Sequence, residues 1–102
     1  MFDYHNDSTN RLFKAIAEIA SEQECRNFFE DLCTIKEIQD MAQRLDTAIL
    51  LSKGYSYQKI SENVGASTAT ISRVNRSLTY GSGGYKTIIS KINATGISND
   101  NK

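Results

Sequence analysis

The side chains with most to offer chemically sit together in residues 56–78, SYQKISENVGASTATISRVNRSL. Gln58 carries an amide, Thr68 and Thr70 carry hydroxyls, and Ala69 and the threonines present methyl groups. Groups of that size match the donor, acceptor and methyl pattern of base edges in a DNA major groove. Lys59, Arg73 and Arg76 are cations, and Ser67 adds a hydroxyl. With the backbone amides at the start of a helix, these suit phosphate oxygens. The chain offers no competing chemistry. It has no nucleophile–base pairing, no phosphate loop and no cluster of metal ligands, and its one histidine, His5, cannot carry a mechanism alone. No enzyme, no metal and no cofactor is the reading that follows.

Two short helices around a glycine turn must position these groups, the layout that lays one helix in the major groove. Ile60, Val64, Ile71 and Val74 are apolar where the helices would face each other and the core. Gly65 falls at the bend, where positive φ favours a residue without Cβ. Ser61 is small where the two backbones would approach. Ser67 can cap the second helix by accepting from an orphan N–H. Two plainer uses of the same pattern stay open: a helical hairpin that serves only packing, and a tri-helical module that docks on another protein.

Charge sharpens the choice. The 102 residues are neutral in sum, with twelve basic and twelve acidic side chains. Residues 1–52 hold five basic against ten acidic groups, a net of −5, and residues 53–102 hold seven against two, a net of +5. The basic half contains the two-helix motif, so one face can meet phosphates while an acidic back stays away from them. Double-stranded DNA is the expected partner, and counterion release would make that binding fall with salt.

The rest of the chain reads as helix. Leu12, Phe13, Ile16 and Ile19 give a first helix from about Ser8 to Ala20. Ser21 with Glu24, and Thr34 with Glu37, form the S/T-x-x-E pattern of a capping box. They open a second helix to about Leu32, with Cys25, Phe28, Phe29 and Leu32 on one stripe, and a third from Ile35 to about Leu51. Gly54 suits its C-terminal end. A glycine-rich break at residues 80–84 precedes a sixth helix, residues 85–92, and residues 93–102 read as a disordered tail. The expected organisation is one helical domain over residues 1–92: residues 8–51 for dimerisation, 56–78 for the helix-turn-helix, 85–92 as the C-terminal helix. Apolar stripes on helices one to three exceed what so short a chain can cover, so a homodimer is expected to bury them. Two half-sites about one helical turn, ~34 Å, apart would then be read together. Cys25 and Cys33 show no metal-site spacing and are expected as buried, reduced thiols. No segment has the ~20 apolar residues of a membrane span and the N-terminus lacks the marks of a secretory signal, so a cytoplasmic protein is expected.

From Leu32 to Leu78 the residues resemble the Trp repressor superfamily, and GASTATISRVNRSL is close to its recognition-helix signature. Within it, the chain resembles the YerC-type Trp-repressor-related proteins. The resemblance implies an all-α, six-helix fold, an intertwined homodimer and a DNA-binding regulator of transcription, most simply a repressor. It also implies an effector pocket for L-tryptophan between two arginines. Arg44 and Arg73 fall at matching positions, Arg44 after a one-residue difference, and Thr34 matches a threonine near that pocket. Three departures stand out: Val74 replaces a glycine and would crowd an indole slot, Arg76 replaces an asparagine, and the linker to the sixth helix is richer in glycine. For Arg44 a solvated charge or an i,i+4 pair with Asp40 is the plainer role, and for Arg73 a phosphate contact.

Overall fold

The computed structural model describes residues 5–95, and these form an all-α chain of six helices. They divide into two compact units, one up to Ile38 and one from Gln39 onward. The physical reason lies in the first two helices, neither of which buries a residue.

In the first unit, α1 spans Asp7–Ala17 and α2 spans Glu22–Leu32. Asn6 caps α1: its Oδ1 accepts from the Thr9 N–H at 2.8 Å, and Thr9 Oγ1 accepts from the Asn6 N–H at 3.3 Å. This reciprocal box starts α1 at Asp7 rather than Ser8. The helix also ends at Ala17, not Ala20. The Glu18 and Ile19 N–H groups donate to carbonyls three residues back, which closes the last turn. Ser21 caps α2 through the Glu24 N–H at 3.1 Å. The Glu24 carboxylate takes the Ala20 N–H at 2.6 Å, one residue before the partner expected from the pattern. Phe28 and Phe29 meet edge to face, with centroids 5.9 Å apart. Cys25 and Cys33 are free and half-buried, not the fully buried thiols expected. The stripe is amphipathic but this unit has too few apolar partners of its own to enclose them.

Helix α3, Ile35–Ser52, begins in the first unit and continues into the second. Thr34 and Glu37 form the full box: Thr34 Oγ1 accepts from the Glu37 N–H at 3.1 Å and the Glu37 carboxylate from the Thr34 N–H at 2.8 Å. At the other end Gly54 has φ +88°. The Tyr55 N–H donates to the Leu50 carbonyl and the Gly54 N–H to Leu51, the paired bonds of a Schellman stop.

The second unit adds α4 (Tyr57–Val64), α5 (Thr68–Tyr80) and α6 (Gly84–Thr95). Helix α5 packs against both α4 and α6. Ile60, Ala66 and Ile71 form one buried cluster, flanked by Leu50, Leu51, Tyr57 and Val64. Ala48, Val74 and Ile89 form another, flanked by Ile49, Leu51 and Tyr85. Val74 therefore serves the α3–α5–α6 side and not the Ile60–Val64–Ile71 side to which its spacing assigned it. The helix period explains this, since three residues from Ile71 to Val74 rotate the side chain by ~60° around α5. Helix α6 runs three residues past its expected end at Ile92, so Asn93, Ala94 and Thr95 are helical rather than tail. Residues 96–102 of the expected tail lie outside the described residues. No helix among the described residues is long and apolar enough to cross a membrane.

Candidate nucleic-acid interface

The turn between α4 and α5 follows from three residues. Gly65 closes α4 at φ +72°, ψ 14°, and its N–H donates to the Ser61 carbonyl at 2.9 Å. An added Cβ there would meet no atom within 4 Å, so the need for glycine is conformational, not steric. Ala66 is buried just after it. Ser67 then caps α5, its Oγ accepting from the Thr70 N–H at 3.1 Å. Ser56 does the same for α4 through the Lys59 N–H at 3.1 Å. From α3, the Gln43 amide donates to the Val64 carbonyl at 3.2 Å and ties the last turn of α4 in place.

With both helices held this way, α5 turns two faces in opposite directions. Ile71 and Val74 are buried, and Leu78 is half-buried on the same side. Opposite them, Ala69, Ser72, Arg73, Arg76 and Tyr80 recur at helical spacing and are all exposed. Thr68, Ser67, Gln58 and Lys59 are exposed as well. Thr70 differs: it is half-buried on the flank of α5, and its Oγ1 accepts from the Ser67 hydroxyl at 3.1 Å. Gln58 Nε2 lies 3.4 Å from the Glu62 carboxylate on the next turn of α4. Ser72 was missed from the sequence, although its position three residues after Ala69 and four before Arg76 puts it on the exposed stripe.

The electrostatics favour an anion. Glu62 is the one carboxylate between residues 53 and 95, against Lys53, Lys59, Arg73, Arg76, Lys86 and Lys91. Neither Arg73 nor Arg76 is engaged in an ion pair among the described residues.

The candidate effector residues are dispersed in their roles. Thr34 spends its hydroxyl and N–H on the α3 cap. Arg44 and Arg73 are exposed, and no hydrogen bond or ion pair among the described residues joins them. Val74, where the resembling signature has glycine, is only 2% exposed. No group of three or more histidine, cysteine or carboxylate side chains among the described residues could hold a metal ion.

Comparison with known proteins places this arrangement. Residues 7–93 match the family described as Trp repressor protein. The uncharacterized protein YerC of Bacillus subtilis strain 168 is 45% identical over 93 residues, which covers 91% of this chain and 89% of YerC. A crystal structure of a Trp-repressor-type protein from Staphylococcus aureus superposes with a TM-score of 0.82 at 45% identity, over 87% of this chain and 89% of that one. A TrpR-like protein from Eubacterium eligens ATCC 27750 gives 0.82 at 44% identity, over 86% and 91% of the two chains. The chain thus belongs to the Trp repressor family, a family of non-enzymatic regulators.

Proposed function

We propose that this chain is a dimeric, sequence-specific DNA-binding regulator of transcription, a cytoplasmic repressor that occludes promoter DNA at a palindromic operator. The observation that carries this reading is the exposed stripe of α5 over its buried Ile71 and Val74. A helix anchored from behind by its core, with small polar and cationic groups in front, has the form of a recognition helix. Residues 67–78 enter the groove. Gln58, Thr68, Ala69, Thr70 and Ser72 face base edges, directly or through water. Lys59, Ser67, Arg73 and Arg76 hold phosphates, and this basic group favours DNA over a protein partner for the head.

The dimer is supported by what α1, α2 and the start of α3 leave open. Phe13 is 52% exposed, Leu32 50% and Ile35 76%, on helices whose apolar residues fall on one stripe. A second copy that covered them would add apolar burial worth ~25 cal/mol per Å². Binding needs no tryptophan, because Val74 occupies apolar space between Ala48 and Ile89 that an indole would have to share.

Selection from a random duplex library, with and without L-tryptophan, tests this. The expected result is an enriched palindrome with half-sites ~34 Å apart, the same in both arms. Dependence on tryptophan would overturn the role given to Val74. Absence of both enrichment and salt-sensitive binding would transfer the head to protein recognition.

A further inference from the structure

We propose that Tyr80 is a DNA-backbone contact that sets how far the recognition helix reaches across the groove, a role that rests on the DNA-binding reading above. Tyr80 is 80% exposed, more than any other large hydrophobic side chain among the described residues. It is the last residue of α5 and lies on the stripe of Arg73 and Arg76, seven and four residues before it. An aromatic ring left in water at the end of a cationic stripe calls for a partner with an apolar surface and negative charge.

The sugar-phosphate wall of a duplex has both. Tyr80 is eleven residues beyond Ala69, or ~16 Å along the helix axis. The major groove is ~12 Å wide. With the first turn of α5 at base edges, its last turn reaches the level of the flanking backbone. There the ring can lie against deoxyribose while its hydroxyl donates to a phosphate oxygen. No carboxylate occurs between Glu62 and residue 95 to oppose it.

The chain also guarantees that α5 ends at this ring. The Gly81 N–H donates to the Ser77 carbonyl at 2.8 Å, and a Cβ on residue 81 would collide with that same oxygen. Gly81 has φ −81° and ψ −162°, so its backbone leaves the helix at once. Gly83, at φ +89°, completes the turn into α6. Any side chain at position 81 would have to push this exit aside, and Tyr80 would lose its terminal position.

The test uses the full chain and a mixed-sequence duplex of about three helical turns. Wild type, Tyr80→Ala, Tyr80→Phe and Arg76→Ala are titrated at several salt concentrations. Tyr80→Ala should weaken binding about tenfold, the scale of a hydrogen bond to a charged group plus its packing. Its salt slope should match wild type, because an uncharged side chain displaces no counterion. Tyr80→Phe should fall between the two. Arg76→Ala should lower the slope by about 0.9 per protomer, or about 1.8 for the dimer. The chain contains no tryptophan, so Tyr80→Trp introduces a single indole reporter, which DNA should shield from acrylamide. Wild-type affinity in Tyr80→Ala, with the indole equally quenched in the complex, overturns the role of Tyr80 while DNA binding stands. A Tyr80→Ala chain that dissociates into monomers but keeps its DNA slope shows a subunit contact instead. If wild type shows no salt-dependent binding at all, the DNA reading and this inference fall together.

Discussion

The phosphate-binding role proposed for Arg73 and Arg76 depends on where the helix period puts them, one turn apart on the side away from Ile71. Arg73→Ala should weaken operator and random duplex alike and lower the salt slope by about 0.9 per protomer, about 1.8 for the dimer, read from titrations at several salt concentrations. Ser72→Ala and Thr70→Ala should alter base preference more than affinity, and selected sites for each variant would report this. Equal loss on specific and random duplex would remove them from the base-reading set. Behind the interface, Ile71 is fully buried. Ile71→Ala should cost about 2–5 kcal/mol in urea unfolding, the usual range for such a cavity. At this scale the sequence was legible wherever the interaction is local. Ser67 and Thr70 are three residues apart and form the cap their types imply. Ser72 is not marked out by its residue type, because exposure is decided by angle around the helix. Val74 is the reverse case, since only the position of α6 reveals that Ile89 is its partner.

Among the elements, the two glycines that bound α4 and α5 make opposite demands. Gly65 needs its left-handed φ but has open space around it. Gly65→Ala should cost about 1–2 kcal/mol, the penalty of that conformation for an L-residue. Gly81 has an ordinary φ but no room for a Cβ beside the Ser77 carbonyl. Gly81→Ala should therefore do more than lower stability. It should displace the end of α5 and weaken DNA binding, whereas Gly65→Ala at a permissive temperature should keep more of it. Urea unfolding and duplex titration on the same samples separate the two effects. Helix starts were readable because Ser, Thr, Asn and Glu at fixed offsets bond their own backbone. The Asn6–Thr9 pair follows the same logic, and its amide and hydroxyl start α1 one residue early. Helix ends were less readable. Nothing in residues 18–20 forbids helix, and the stop at Ala17 comes from three-residue bonds and from the Glu24 carboxylate held by the Ala20 N–H.

For the whole molecule, the uneven distribution of burial matters most. Among the described residues, the buried ones lie from Thr47 to Ile89, all in the unit that begins at Gln39. If α1, α2 and the start of α3 complete their burial against a second copy, stability must depend on concentration. The thermal midpoint should fall on dilution, by mass action. Phe13→Glu or Ile35→Asp should shift the chain toward monomer in sedimentation experiments. Either variant should also lose affinity for a two-half-site duplex far more than for a single half-site. A midpoint that stays constant across a hundredfold dilution would oppose the dimer.

By itself the amino-acid order determined the helices, their caps, the glycine bend and the segregation of charge. Each of these depends on residues within a turn or two of one another, or on a simple count. The tertiary structure decided which flank of α5 is packed by α4 and which by α6, and so which side chains remain outside. It also decided that Gly81 is required by a neighbouring carbonyl rather than by its own φ, and that Tyr80 ends α5 in the open. Those outcomes depend on how elements distant in sequence share space, and helical spacing alone carries no record of that.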